Sequence, residues 1–421
     1  MKHSSEVEAR SPGASEGAEP SDDAEAAVEE AQRTRPYQRY LQAGLGLRDH
    51  WYPAFFSHEL SDGGTRSETL LGERIFFKRA QGRVYAIEDR CPHRGVAFSA
   101  RPECYSTNTV TCWFHGFTFD VRDGKLVQVL TEPGCSLVGK VSVKAYPTEE
   151  RSGVVFIFIG DLAPPPPLTD DVPPRLLTPG MVFRPLTRHK LRGNWRLATE
   201  QGFDAAHIYG HRDAELLKRL GFALPLGTYS SRKSLATLEE GAGPKGIRKR
   251  DDRSVWVAEV EGVRIHPPNV DPDLPPPPLD LDALEVGMYL PCALQVVNFP
   301  VPSMYHFEWY VPVDEDHHLY MIMQATLAET PEQEQRFQED CEKLYGPLVW
   351  TPPGVKPEGF TNFDEFIREQ MAHAYGREDW WSRERLFRPD NIIVQWRMLV
   401  ARHMRGIQRR GDWARKDDGS P

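Results

Sequence analysis

Cys91-Pro92-His93-Arg94-Gly95 and Cys112-Trp113-Phe114-His115-Gly116 each place one cysteine and one histidine on a loop between β-like runs, and these two arms decide the first half of the chain. Two thiolates and two imidazoles are the donor set of a [2Fe-2S] cluster in which one iron carries both histidines, and exchanging thiolate for neutral imidazole raises the reduction potential. Structural zinc also takes Cys and His in a two-plus-two set, but zinc fingers pair Cys with Cys. Here each arm is mixed, Cys-x-His and Cys-x-x-His, with eighteen residues between His93 and Cys112. A glycine follows each arm closely, which lets backbone approach a cluster. The cluster is the favoured reading.

Outward from the arms, the short apolar runs Arg74 to Lys78, Val84 to Ile87, Thr109 to Trp113, Phe117 to Val121, Val141 to Lys144 and Val154 to Ile159 predict an all-β module over residues 41–160. Pro164 to Pro167 and Pro173-Pro174 mark residues 161–183 as an extended linker. Residues 184–410 read as an α+β domain, an antiparallel sheet with helices. Its expected helices are Asn194 to Leu220, Thr330 to Leu344, Phe363 to Tyr375 and Asp390 to Gln408. Its expected strands are Ser254 to Val260, Leu294 to Asn298, His306 to Val313 and His318 to Ala325. The proline-rich residues 267–280 read as an exposed loop.

Residues 1–36 hold almost no large apolar residue and are expected to be a disordered acidic tail, with a second short one at 411–421. Of the net charge of −10, −6 falls within residues 1–33, which leaves a nearly balanced body without the basic stripe that nucleic acid needs. No apolar run has the length of a bilayer span, and Lys2, His3 and the acids behind them do not form a secretory signal. The expected compartment is the cytoplasm, where six cysteines are metal-binding or catalytic rather than a disulfide framework.

In the second half, Asn194-Trp195 opens a predicted helix on which Asp204, His207 and His211 follow one face. Such a stripe is either a set of solvated or hydrogen-bonded polar residues or half of a metal site. Ile208 after the first histidine excludes the zinc-protease form, which carries glutamate there. Two imidazoles and one carboxylate make the facial set of non-haem iron, with open positions for dioxygen and substrate, so the carboxylate has to come from elsewhere in the chain.

On these motifs, and on His50-Trp51-Tyr52-Pro53 and Gly153-Val154-Val155-Phe156, residues 50–160 resemble the Rieske domain of ring-hydroxylating oxygenases. The catalytic half, helix-grip-like in that family, is most similar to the carbazole dioxygenase and oxoquinoline monooxygenase branch. The matching stretches are Gly193-Asn194-Trp195-Arg196, Gly202-Phe203-Asp204 with His207-Ile208-Tyr209 and His211, Ala223-Leu224-Pro225-Leu226-Gly227, and Phe307-Glu308-Trp309-Tyr310-Val311-Pro312. The three-residue gap between His207 and His211 favours this branch over the naphthalene or toluene type, where the gap is four.

The resemblance implies the terminal oxygenase of a multicomponent system and a homotrimer without a second kind of subunit. NADH electrons would pass through a reductase and a ferredoxin to the Rieske cluster on Cys91, His93, Cys112 and His115. From there they would reach a mononuclear Fe(II) on His207, His211 and Asp364, where O2 mono- or dioxygenates an aromatic or N-heteroaromatic molecule. It further implies that Asp204 bridges His207 to His93 or His115 of a neighbouring subunit, and that Ile208, Val286, Phe299, His306 and Phe360 line the substrate pocket. His306 and Val286 stand where the carbazole enzyme has glutamine and isoleucine. Asp364, at the front of a predicted helix, has the plainer reading of an acid favoured by the helix dipole. Two other classes are a Rieske electron carrier with a non-catalytic second domain and a zinc hydrolase on His207, His211 and Asp364.

Overall fold

The computed structural model describes residues 37–204, 206–211, 214, 235–239, 246–250, 258–260, 263–265, 285–345, 360–377, 380–387 and 390–411. The expected tails over 1–36 and 412–421, the loop 267–280 and most of the expected strand Ser254 to Val260 lie outside them.

After a single helical turn α1 (Gln38–Leu41) come β1 (Leu47–Arg48), β2 (His50–Phe56), β3 (Thr65–Leu70), β4 (Glu73–Ala80), β5 (Arg83–Glu88), β6 (Thr109–Thr111), β7 (Phe117–Asp120), β8 (Leu126–Val129), β9 (Ala145–Tyr146), β10 (Thr148–Arg151) and β11 (Val154–Ile159). They form three small antiparallel sheets, ordered β10-β11-β2, β3-β4-β5-β9 and β6-β7-β8. Two-residue turns with both residues at positive φ, Leu71-Gly72, Gln81-Gly82 and Ser152-Gly153, close three hairpins in the type I′ geometry that matches strand twist. β11 is buried along its whole length, as is β2, and Pro53 is accommodated in β2 beside a register shift. The expected strand Val141 to Lys144 does not form; that stretch makes a lone bridge from Ser142 to Lys125 before β9.

The presumed linker is a packed segment. Two 3-10 turns, Leu168–Asp170 and Pro174–Leu177, bury Leu168, Val172 and Leu176. Buried Asp171 accepts from His50 Nδ1 at 2.8 Å, from the Trp51 backbone N–H at 2.9 Å and from Arg405 at 2.8 Å. Its prolines shape turns over apolar side chains, so this crossing is fixed rather than extended.

The second half continues with β12 (Met181–Arg192), α2 (Trp195–Phe203), β13 (Leu235–Glu239), β14 (Gly246–Arg250), β15 (Ala258–Val260), β16 (Val263–Ile265), β17 (Glu285–Tyr289), β18 (Ala293–Val297), β19 (Met304–Pro312), β20 (His317–Leu327), α3 (Pro331–Tyr345), α4 (Phe360–Arg377), α5 (Asn391–His403) and β21 (Gly406–Ile407). A seven-stranded antiparallel sheet in the order β12-β20-β19-β18-β17-β14-β13 is its centre. Helices α2 and α4 lie on one face: Tyr310 of β19 meets Gly202 of α2, and Arg368 of α4 lies over Tyr310 and Tyr320. One apolar core runs through both halves, from Tyr52 and Phe156 to Trp309 and Trp396. A smaller core under the Cys/His arms includes Phe76, Phe98, Phe119 and Leu126.

The last expected helix, Asp390 to Gln408, stops at His403, and Gly406–Ile407 turn back to pair with β1. The reason is polar anchoring: Gln408 reaches Glu73 at 3.0 Å and the Leu71 carbonyl at 3.2 Å, and Arg48 donates to Gln408. Those bonds tie the chain end to the first module.

Candidate metal centres

The two arms fold alike. In each, the cysteine carbonyl accepts from the glycine four residues on (Gly95 at 2.8 Å, Gly116 at 3.0 Å), and the cysteine N–H donates to the next carbonyl (Val96 at 2.8 Å, Phe117 at 2.7 Å). Gly95 and Gly116 both sit at φ 72°, the left-handed region a tight return needs. Trp113 Nε1 donates to the Ala97 carbonyl and joins one arm to the other.

Cys91 and Cys112 are buried, whereas His93 is exposed and His115 half-buried, so thiols lie on the inside and imidazoles on the outside. The two imidazoles are 4.6 Å apart between ring centroids, and His93 stacks on Phe117 at 5.0 Å. His115 Nδ1 is buried without a hydrogen-bond partner, an imidazole nitrogen left for a metal. Burial pushes the Cys91 thiol up to about 12, and Cys112 beside it adds to the shift. A cationic group has to sit there for the pair to act as thiolates.

The donor geometry separates cluster from zinc. A single tetrahedral zinc with bonds of about 2.0–2.3 Å holds its donors within about 4 Å of one another. Among the described residues, three or more His, Cys, Asp or Glu donors converge within 4.8 Å only elsewhere, at His207, His211 and Asp364. The arms therefore fit a cluster with two metal positions better than one ion.

The second site begins at Asn194, whose side chain caps α2 by accepting from the Arg196 N–H at 3.1 Å. Buried Trp195 donates to the Ala43 carbonyl at 2.8 Å, and Arg397 holds Glu200 with two bonds at 2.8 and 2.7 Å. The helix expected to run to Leu220 ends at Phe203: Asp204 is its C-cap, and Ala206–His211 form a 3-10 turn. At three residues per turn, positions four apart do not share a face as they do in an α-helix. His207 and His211 therefore come together through the turn, with ring centroids 5.1 Å apart, and not along a helical stripe.

His207 Nδ1 donates to the Asp204 carbonyl, which leaves Nε2 to face Asp364 Oδ1 at 3.3 Å; His211 Nε2 lies 3.2 Å from the same oxygen. Neighbouring donors on an octahedron with bonds of about 2.1 Å are about 3.0 Å apart, close to both His–Asp364 distances. Burial alone would raise the Asp364 carboxyl, but His211, His207 and Arg368 override it and hold the group well below the usual carboxylate range. An ionised carboxylate in a dry site is a ready cation ligand.

Four residues around the trio escaped the sequence reading. Gln201 Nε2 donates to Asp364 Oδ1 at 3.1 Å, and its Oε1 accepts from Arg368 Nε at 2.8 Å. Glu308 accepts from His306 Nε2 at 2.6 Å and from the Tyr310 hydroxyl, and Gln324 Nε2 donates to His306 Nδ1 at 2.6 Å. Of these, only Glu308 lay within a quoted motif, as an unremarked strand residue.

Of the pocket candidates, Val286 and His306 lie in one cross-strand row with Val296 and Gln324, over β17, β18, β19 and β20. His306 shares its face with Tyr310, four residues on, and so faces α2 and α4. Phe299 packs edge-on against His306 at 5.5 Å. The sheet thus brings Val286, Phe299 and His306 to the side that carries the trio. Ile208 and Phe360 have their backbones in the 3-10 turn and at the start of α4, and their side chains lie outside the described residues. Among those residues no helix is long and apolar enough to cross a membrane.

Residues 158–408 match the family model of the homotrimeric ring hydroxylases, and residues 50–147 that of the Rieske [2Fe-2S] domain. The chain is 38% identical over 382 residues to the terminal oxygenase component of carbazole 1,9a-dioxygenase from Sphingomonas sp., covering 89% of this chain and 97% of that one. It is 36% identical to its counterpart from Metapseudomonas resinovorans, over 90% and 97% of the two chains. The solved terminal oxygenase from Nocardioides aromaticivorans IC177 superposes with a TM-score of 0.79 at 35% identity, covering 90% of this chain and all of that one. A carbazole-bound oxygenase in complex with ferredoxin superposes with a TM-score of 0.82 at 34% identity, over 94% and 99%. With a Rieske cluster and a mononuclear iron as its cofactors and O2 as co-substrate, the chain belongs to the Rieske non-haem iron ring-hydroxylating oxygenases, as a terminal oxygenase component.

Proposed function

We propose that Cys91, His93, Cys112 and His115 hold the [2Fe-2S] cluster, that His207, His211 and Asp364 hold the mononuclear iron, and that a flat aromatic or N-heteroaromatic substrate lies between that trio and the row of Val286, Phe299 and His306. The observation that carries the reading is the convergence of the three donors within 4.8 Å on the sheet face that bears the pocket candidates. When bound, the cluster supplies single electrons and the mononuclear iron supplies oxygen activation. The chain's own part is to orient His207 through the Asp204 carbonyl, to keep Asp364 ionised, and to present an apolar wall to the substrate.

A ferredoxin, fed by an NADH-dependent reductase, is the proposed electron donor, since relatives have been solved with ferredoxin bound. The proposed compartment is the cytoplasm. Carbazole-like tricyclic compounds are the first substrates to try, because the two relatives that match over about nine-tenths of the chain are carbazole 1,9a-dioxygenase components. Oxygen uptake that depends on such a substrate, with about three irons per chain, supports the oxygenase. Two irons and no uptake would point to an electron carrier, and oxygen-independent hydrolysis to a zinc enzyme.

Asp204 has two ends in this reading. Its carbonyl accepts a hydrogen bond from His207 Nδ1 within the chain, and its carboxylate bridges to the exposed imidazole His93, or to His115, of the next subunit in the trimer. Two sites in consecutive domains, each with a radius of gyration of roughly 13–15 Å, are easily too far apart for fast transfer within one chain. Trimers mixing Cys91→Ser subunits with His207→Ala subunits are then expected to regain activity, and Asp204→Asn to keep both metals yet lose electron delivery. Mixed trimers confirmed by mass but inactive would put transfer within single chains.

A further inference from the structure

His306, Glu308 and Tyr310 occupy alternate positions of β19, so all three polar side chains face α2 and α4 inside the core, where a strand would ordinarily present apolar groups. The imidazole of His306 is engaged on both sides. Nε2–H donates to Glu308 Oε1 at 2.6 Å, and Nδ1 accepts from Gln324 Nε2 at 2.6 Å. Gln324 is steadied by the Tyr345 hydroxyl at 2.5 Å, and Glu308 by the Tyr310 hydroxyl. Turning the Gln324 amide over would set its unpartnered Oε1 on a protonated Nδ1; either assignment occupies both ring nitrogens. The fixed ring meets Phe299 edge to face, with planes at 76°, and shares its row with Val286.

We propose that Glu308 and Gln324 are positioning residues for substrate specificity: they lock the His306 ring so that it reads a flat fused aromatic molecule by shape, through ring carbons, and forms no hydrogen bond to a heteroatom of the substrate. This rests on the reading above that His306 lines the substrate pocket. A bridging N–H, O or S in the substrate is then not distinguished at this wall. The angle of the locked ring sets which substrate carbon is presented to the iron trio. A buried polar group can select substrate by pairing with it, but one already paired on both sides has no donor or acceptor to offer.

The test uses the full-length holoenzyme with its electron donors, and carbazole with its oxygen- and sulfur-bridged isosteres as probes. Dissociation constants are measured without oxygen, product regioisomers with it, and iron content on every sample. Gln324→Leu, which releases one side of the ring, is expected to weaken binding of all three probes by about three- to tenfold. It is also expected to change the regioisomer ratio by at least about threefold, at unchanged iron content. Glu308→Gln, which keeps an acceptor for Nε2–H, should shift that ratio less. His306→Phe should leave the N–H to O binding ratio within about twofold of the parent while altering the regioisomers.

A change of about tenfold or more in that binding ratio for His306→Phe would show a hydrogen bond to substrate and overturn the proposal. A regioisomer ratio altered by His306→Phe but not by Gln324→Leu would overturn the lock alone. If neither variant alters binding or regioisomers, His306 is not in the pocket and the underlying reading fails instead. Should Gln324→Leu not fold, Tyr345→Phe, which removes only the hydroxyl that steadies Gln324, carries the same expectation at smaller size.

Discussion

Gln201→Leu isolates the link between the carboxylate of the iron trio and the positive charge behind it. The wild-type amide spans the two, 3.1 Å from Asp364 Oδ1 and 2.8 Å from Arg368 Nε. Leucine fills similar volume and makes neither bond. On the Asp364 side, loss of an outer hydrogen bond to a metal ligand lowers metal affinity by about 10–100-fold, or about 1.4–2.7 kcal/mol. On the Arg368 side, Nη1 and Nη2 already have no hydrogen-bond partner, and orphaning Nε as well costs about 1–3 kcal/mol of stability. Gln201→Glu separates the two effects, since it keeps an acceptor for Arg368 and replaces the donor to Asp364 with a second anion. Ferrous iron is titrated anaerobically into protein stripped of the mononuclear metal, with the cluster absorption as an internal count of folded chains. Iron affinity within about twofold of the parent in folded Gln201→Leu would refute the idea that this amide orients Asp364.

Asp364→Ala, His207→Ala and His211→Ala are each expected to lower iron from about three to about two per chain and to abolish product, while the red cluster chromophore persists on its separate small core. Normal iron and turnover in Asp364→Ala would move the ligand role to another carboxylate. Glu73, buried between Arg48, Lys144, Tyr146 and Gln408, should cost about 1–3 kcal/mol on change to alanine, read from denaturation followed by cluster absorbance, because the Tyr146 hydroxyl, Gln408 Nε2 and Arg48 Nη1 lose an acceptor while Arg48 keeps its pair with Asp161. Burial raises the Glu73 carboxyl, but Lys144, Tyr146 and Gln408 outweigh it, so its folded value is depressed. Its contribution is therefore complete above the unfolded value of about 4.3 and is lost as pH falls through the lower folded value; a parent and Glu73→Gln pair with parallel acid-denaturation curves would contradict this.

The two Cys/His arms were legible because their Cys and His sit on tight loops whose spacing is local, and Val154 to Ile159 was legible because a strand buried on both faces is a continuous apolar run. The strand Met181–Arg192 was not. It lies at the sheet edge, half-buried along most of its length, with Pro185 at a register shift, so neither alternation nor apolar run marks it. His207 and His211 were singled out through a periodicity that the structure does not use: the two rings do come together, but the helix expected to align them ends at Phe203. The last turn of that helix is fitted to the sheet by a tertiary contact, since a Cβ on Gly202 would sit 1.9 Å from the Tyr310 hydroxyl. The roles of Gln201, Arg368 and Gln324 are equally tertiary. Each is an ordinary polar residue until the sheet is folded against α2 and α4.

The charges behind the site explain why so many polar groups are tolerated in one core. Asp364 and Glu308 are buried acids and Arg368 the buried base near both, with the imidazoles of His207 and His211 beside Asp364. Arg368 offsets one of the two acid charges, and a divalent cation at the trio would more than offset the other. Arg368 suits this role because its guanidinium lies over the rings of Tyr310 and Tyr320, at 4.9 and 4.3 Å, and acts there as a charge more than as a hydrogen-bond donor. That placement keeps Asp364 ionised from one side and offsets Glu308 from the other. The two buried carboxylates share that one cation, while His211 and His207 act on Asp364 and His306 on Glu308, so the proposed metal ligand and the proposed His306 wall belong to one buried network.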